Sequence, residues 1–305
     1  MPRINGGLGF GIEAPNLQVK AKANRTFSVS DRRKSGLDHA GVQRLLRVLQ
    51  RAEERYGLQR RIAIEITGGV GAHYGFGTGT ASRLACLEAL LLVNGHQVNE
   101  SELIRLSGRG GTSGIGIHVY FHGGLVIDLG RKSDGEVPQP SSQAEFDFDL
   151  PLLLQQTEMP LWEIGICIPS HISPLTEEEE KVFFHQTCPI PETECYRALY
   201  HGVAGVFSAA RERDRSAFGN SVHELQECAW KRAERTHHGQ ALSDLEDLLY
   251  ALGASVVGMS SLGPALFFLA DQVESVVEKM RAASPQCELM ICQPSNTGRR
   301  IECSS

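Results

Sequence analysis

The sequence predicts an α+β protein of two domains, on three observations. Short apolar runs with strand-like alternation interleave with stretches of helical periodicity. Two Gly-rich loops interrupt the first half, at residues 73–82 and 108–116. Residues 133–160 lose periodicity and gather Pro138, Pro140, Pro151 and Pro160, which marks a linker or a long excursion. The expected division is therefore an α/β domain over 1–150 and an α+β domain over 151–305. At 305 residues the chain is long enough for a core in each half.

The elements follow in order. Residues 7–30 hold three runs, Leu8 to Ile12, Leu17 to Lys22 and Arg25 to Val29, separated by Pro15-Asn16 and Ala23-Asn24. They read as antiparallel strands joined by turns. From Leu37 to Arg55 the apolar positions Leu37, Val42, Leu45, Leu46, Val48 and Leu49 mark one side of a helix. Arg61 to Thr67 alternates Ile62, Ile64 and Ile66, a half-buried strand. Helices are expected at 81–93 and 100–106. Ile117 to Phe121 and Leu125 to Leu129, with His122-Gly123-Gly124 between them, read as a hairpin. The second half reads as a strand at 162–168, a mostly helical stretch at 176–235 and a short helix at 245–252. Strands at 256–257 and 266–269, a helix at 271–282 and strands at 288–292 and 299–302 complete it.

Composition narrows the function. Hydrophobic residues are 41% and charged residues 22%, as in globular proteins, and the net charge of −6 disfavours a nucleic-acid scaffold. The run Glu177-Glu178-Glu179-Glu180 reads as the solvated first turn of a helix, where carboxylates suit the macrodipole. Eight cysteines lack a C-x-x-C pair and read as small buried apolar residues of a reduced protein, with no disulfide frame and no zinc site. No secretory leader and no membrane-length apolar run is visible, so the expectation is a cytoplasmic protein without membrane or nucleic-acid partners.

The first Gly-rich loop, His73-Tyr74-Gly75-Phe76-Gly77-Thr78-Gly79-Thr80-Ala81-Ser82, opens a helix. Gly75, Gly77 and Gly79 let backbone approach a ligand, first-turn N–H groups lack intrahelical partners, and Thr78, Thr80 and Ser82 add hydroxyls. This makes a phosphate cradle, distinct from a Walker A loop because no Gly-Lys-Ser/Thr follows. The second loop places Gly110, Gly111, Thr112, Ser113 and Gly114 after Arg109, whose fork suits phosphate. A third turn holds Ser260, Ser261 and Gly263.

Three such loops in this order, the first opening a long helix, resemble the GHMP-kinase superfamily. The resemblance covers nearly the whole chain. It implies a ribosomal S5 domain 2-like N-terminal domain and a ferredoxin-like C-terminal domain. In many of those kinases the second segment reads S-G-x-D-N with a Gly-Gly pair beyond; here Ser113-Gly114-Ile115 and Gly123-Gly124 match, but Gly116 stands where the catalytic aspartate would. A glycine can neither take a proton nor balance a metal-nucleotide. Arg109 to Gly116, then Gly123-Gly124-Leu125-Val126-Ile127-Asp128, together with Ser260 to Pro264 and Gly6-Gly7-Leu8-Gly9-Phe10, look like the β-ribofuranosylaminobenzene 5'-phosphate synthases. Those proteins carry a further strand with an Arg-x-His-like motif before the Gly-Gly-x-Gly segment, and its contacts are carried over to no residue here.

That resemblance implies condensation of phosphoribosyl pyrophosphate with 4-aminobenzoate or 4-hydroxybenzoate, releasing CO2 and pyrophosphate in methanopterin-type pterin assembly. Mg²⁺ is the expected companion of the pyrophosphate. The first loop is the expected diphosphate cradle, with Arg109, Arg131 or Lys132 supplying positive charge. Asp128, at a strand end, is the expected metal ligand or cation stabiliser, with a turn carboxylate beside Arg131 as its other reading. An ATP-dependent small-molecule kinase is the alternative. A homodimer is the candidate assembly. His118 and His122 read as solvent-facing hairpin residues, His237-His238 as a favourable helix end, and Phe267-Phe268 as core.

Overall fold

The computed structural model describes residues 3–71, 73–133, 135 and 149–303. Strand β1 (Arg3–Ile4) leads to β2 (Gly7–Phe10), β3 (Leu17–Asn24) and β4 (Ser28–Asp31). Helix α1 (His39–Tyr56) follows; the Asp38 side chain accepts from Gly41 N–H at its start, and Gly57 with φ 59° ends it. Next come β5 (Arg61–Gly68), α2 (Thr78–Val93), α3 (Glu100–Ser107), α4 (Ile115–His122), β6 (Leu125–Asp128), β7 (Arg131–Lys132) and β8 (Leu153–Thr157).

The early strands are not a meander. β5 takes β3 antiparallel on one side and β4 parallel on the other, while β2 and β8 flank β6 and β1 pairs with β7. The reason is burial: Ile62, Ile64 and Ile66 of β5 must face Leu45, Val48 and Leu49 of α1 and the apolar side of α2. β8 lies beyond residue 150, so the first half's sheet draws a strand from each side of that point. Of the 133–160 stretch, residue 134 and residues 136–148 fall outside the described residues.

The hairpin expected at 117–129 is a helix followed by a strand. Ile115, Ile117 and Val119 favour a strand locally. Ile117 and Phe121, four apart, instead share a helix face and bury in the α1–α2 core, and this tertiary gain wins. Gly123 and Gly124, at φ 69° and 71°, turn the chain out of the helix into β6. His118 and His122 thus sit on one helix face; His122 is exposed, 2.9 Å from Glu100 Oε2.

The second half begins with β9 (Ile164–Pro169), then α5 (Glu177–Thr187), α6 (Glu192–Tyr200), a π-helical turn at His201–Phe207, α7 (Ser208–Glu212), α8 (Arg215–Gln226), α9 (Ala229–His238) and α10 (Gln240–Ala251). β10 (Ala254–Met259), β11 (Leu266–Ala270), α11 (Val273–Ala283) and β12 (Cys287–Cys292) complete an antiparallel sheet ordered β10-β11-β9-β12. Alternation along β9 sends Ile164, Ile166 and Ile168 to one face and Cys167 to the other. The first face shares one core with Leu125 and Ile127 of β6 and with Phe218 and Val222 of α8, so the halves are joined by buried apolar surface. The second face packs on α10 and α11.

Phe268 is fully buried, as expected, and Phe267 meets Phe10 edge to face. All eight cysteines are free; five are buried and Cys303 is exposed. Residues 299–302 form no strand. The segment from Ser295 to Arg299 instead straps the first half: Gly124 N–H donates to Ser295 O, Arg299 N–H donates to Tyr120 O, and the Arg299 guanidinium pairs with Glu88. No helix among the described residues is long and apolar enough to cross a membrane.

Candidate active site

Helix α2 starts differently from α1, α3 and α5. Side chains cap α1, α3 and α5 (Asp38, Asn99 and Thr176), but Gly77 precedes α2 at φ 65° and no side chain caps it. The Thr80 and Ala81 N–H groups bond to Gly77 O, and those of Thr78 and Gly79, on the groove between the halves, have no capping side chain, the arrangement that suits an anion. Gly75, Gly77, Thr78, Gly79, Thr80 and Ser82 all line this groove. The hydroxyls divide. Ser82 is 1% exposed and donates to Thr78 O at 2.7 Å, and Thr78 donates to Gly71 O at 3.2 Å, so both turn back into the protein. Thr80 Oγ1 faces outward and accepts from Arg109 Nε at 3.0 Å.

The third loop closes on the first. Ser260 Oγ donates to Gly75 O at 2.9 Å, and a Cβ at Gly75 would lie 2.1 Å from Ser260 O. Ser261 takes φ 50°, and its carbonyl accepts from Lys231 Nζ at 2.7 Å. Gly263 completes the turn by donating to Ser260 O. His238, at the end of α9, holds Leu262 O at 2.6 Å, so this histidine buttresses the loop.

The second loop is built around Asp128. This carboxylate, 3% exposed, accepts from Gly130 N–H at 2.7 Å, Gly114 N–H at 3.0 Å and Ser113 Oγ at 3.3 Å. Burial pushes its carboxyl up, against the opposite pull of those donors. Its oxygens shape the loop. Gly110, Gly111 and Gly114 are buried, and Asn5 Nδ2 donates to Gly111 O, so these glycines supply close packing, while Thr112 and Ser113 reach the groove. Arg131 and Lys132 sit in β7 against β1 and do not line the groove.

Gly116 lies in the first turn of α4 beside the cradle, its Cα 3.9 Å from where a Cβ on Gly77 would stand. A Cβ on Gly116 itself would meet Thr80 at 3.4–3.6 Å, ordinary contact distance.

Two further arginines join Arg109, and neither was expected from sequence. Arg83, one turn into α2, donates to Ser107 O at 3.2 Å; Arg44 comes from α1. Burial, then the charges of Arg109 and Arg44, push Arg83 down to about 9. Burial pushes Arg109 down to about 10, opposed by Glu180 and Glu177. These carboxylates come from the acidic first turn of α5, read from sequence as solvated. Glu178 and Glu179 are exposed, but Glu177 meets Arg44 at 2.5 Å and Glu180 turns into the groove, where burial pushes it up to about 7. The one visible hint was Arg83, a charge inside the apolar run Ala81 to Val93.

Two family descriptions match this chain: GHMP kinases N terminal domain over residues 43–124 and GHMP kinases C terminal over residues 206–286. The chain is 28% identical to beta-ribofuranosylphenol 5'-phosphate synthase of Archaeoglobus fulgidus, covering 98% of this chain and 93% of that protein. It is also 28% identical to the enzyme of the same name from Methanothermobacter thermautotrophicus, covering 88% of this chain and 83% of that one. Among solved structures, L. major mevalonate kinase in complex with R-mevalonate superposes with a TM-score of 0.69 at 15% identity, covering 97% of this chain and 91% of that one.

Proposed function

Because this chain belongs to the GHMP-kinase superfamily and resembles the β-ribofuranosylphenol 5'-phosphate synthases along nearly its whole length, we propose that it condenses phosphoribosyl pyrophosphate with a 4-substituted benzoate, releasing CO2 and pyrophosphate. The observation that carries this reading is Gly116: at the position beside the phosphate cradle where the kinases carry their catalytic aspartate, this chain has a glycine, which can neither take a proton nor balance a metal-nucleotide. The relatives' name specifies a ribofuranosylphenol, which favours 4-hydroxybenzoate over 4-aminobenzoate. The reaction is then a decarboxylating pentosyl transfer, a step of methanopterin-type pterin assembly in the cytoplasm.

In the mechanism the diphosphate rests on the uncapped start of α2, with Arg109 on its oxygens and Thr80 Oγ1 holding the guanidinium in place. Cleavage of the C1–O bond leaves positive charge at the ribose C1. The ring carbon bearing the carboxylate attacks, and the C–CO2 bond electrons return to the ring as CO2 departs. Binding both substrates in the groove supplies the alignment. Asp128 acts through the loop it holds. Mg²⁺, if it arrived with the diphosphate, would supply positive charge to offset the leaving group.

The test is incubation of the protein with phosphoribosyl pyrophosphate, Mg²⁺ and either benzoate labelled in its carboxyl group. Labelled CO2 and stoichiometric pyrophosphate are expected, with the hydroxy acid turned over faster. ATP-dependent phosphorylation of a small alcohol, without CO2, would overturn the reading. Gel filtration of the same preparation tests the homodimer.

A further inference from the structure

We propose that Arg44, Arg83 and Arg109 form a single diphosphate site, and that the Glu177 and Glu180 carboxylates of α5 occupy it in the empty protein and leave when the diphosphate arrives. The proposal rests on the diphosphate reading of the groove given above and goes beyond it in naming two more ligand-binding arginines and a moving element.

The arginines converge from three elements. Arg44 projects from α1, Arg83 from α2, and Arg109 from the loop after α3, where its guanidinium reaches Gly79 and Thr80. Arg83 donates to Ser107 O, the Arg109 backbone N–H donates to Ser107 Oγ, and all three arginines line the same groove, where the charges of Arg109 and Arg44 both act on Arg83. Like charges do not gather at a half-buried site without an anion. Within the first half the Arg83 guanidinium donates to the Ser107 carbonyl and Arg109 Nε to the Thr80 hydroxyl, and neither acceptor neutralises charge. Neutralisation comes from across the groove. Glu177 Oε1 lies 2.5 Å from Arg44, and Glu180 lines the same groove as Arg109, whose charge acts on it, with Glu177 and Glu234 as its acidic neighbours. Three guanidiniums against two carboxylates, one of them hard to ionise, leave an excess of positive charge. A diphosphate, with more negative charge and a geometry that accepts forked donors, neutralises the trio better.

The element carrying the carboxylates is suited to movement. α5 is not part of the core that joins the halves. It rests on a satellite cluster of Leu175, Phe183 and Phe184 with Trp230 and Leu262 beside them, and its capping box of Thr176 and Glu179 keeps the first turn intact as a unit. Repulsion between the incoming diphosphate and the Glu177 and Glu180 carboxylates supplies the force that displaces α5.

Inorganic pyrophosphate is the probe, titrated calorimetrically at pH 8 and fixed ionic strength, with circular dichroism confirming that each variant is folded. Arg44→Ala, at a partly exposed position, is expected to weaken pyrophosphate binding about tenfold, in the range of one charge-assisted contact. The double variant Glu177→Gln with Glu180→Gln is expected to tighten it several-fold, because the internal competitor is gone. Unchanged affinity in Arg44→Ala, or weaker binding in the double glutamine variant, would overturn the proposal. The outcome is separable from the synthase reading. Pyrophosphate binding with this pattern but no CO2 release would sink the synthase and leave the site standing. CO2 release with pyrophosphate affinity indifferent to all three positions would do the reverse.

Discussion

Gly116 is the residue on which the proposed chemistry turns. It sits in the first turn of α4 against Thr80, with ordinary contact distance available for a Cβ, so a carboxylate can be placed there without breaking the fold. In a site organised for a diphosphate leaving group, that carboxylate faces like charge. Gly116→Asp is therefore expected to lower synthase turnover at least tenfold without creating a kinase, because one restored group does not rebuild an acceptor-alcohol site. The check is paired: CO2 release from labelled benzoate, and phosphate transfer from ATP to a panel of small alcohols. Any ATP-dependent transfer by the variant would show kinase machinery otherwise intact. Asp128 illustrates the opposite lesson. Its strand-end position suggested a metal ligand, but a carboxylate also satisfies backbone N–H groups, and three donors converge on it. Sequence spacing cannot distinguish the two uses, since both need an acidic residue beside a glycine-rich turn.

At the scale of the element, α5 was recognisable but its orientation was not. Thr176 with Glu179 is a capping box that sequence alone signals, and four glutamates suit a helix start. Which of the four face water depends on the rest of the fold. Glu180 has its carboxyl raised from 4.5 to about 7, by burial first and by Glu177 and Glu234, against Arg109. In the unfolded chain it ionises above about 4.5, while in the folded protein it holds its proton to about 7. Its contribution to stability is thus complete below 4.5 and is lost as pH rises through 7. Glu180→Gln is expected to match the parent's melting temperature near pH 4.5 and exceed it at pH 8; melting curves across that window check it, and parallel profiles would mean that Glu180 is solvated. Helix α4 shows a second limit. Its β-branched residues follow local strand preference, and only the burial of Ile117 and Phe121 against α2 makes it a helix.

Across the whole molecule the groove exists because two halves with a continuous core bring three distant loops together. Ser260 and Gly75 are 185 residues apart in the chain yet hydrogen-bonded. Gly75 has φ 89°, and a Cβ there would press on Ser260 O at 2.1 Å, with no flexible side chain to give way. Gly75→Ala is therefore expected to cost about 1–3 kcal/mol of stability. It should also weaken pyrophosphate binding, because the first and third loops must separate. Differential scanning calorimetry beside the pyrophosphate titration measures both; an unchanged melting temperature would mean that the loops are not apposed in solution.

The sequence by itself determined most element positions, the fold that the order of loops implied, and the missing carboxylate at Gly116, because periodicity, capping and glycine placement are local signals. It did not determine where Thr78 and Ser82 point, that Arg131 and Lys132 lie in β7 away from the groove, that β4 runs parallel to β5, or that Arg44, Arg83 and Arg109 line one groove with Glu177 and Glu180. Those were decided by tertiary structure. A charged side chain on an amphipathic helix looks the same in sequence whether it faces solvent or a groove, and only the packing of α1, α2 and α5 around that groove assigns its partner.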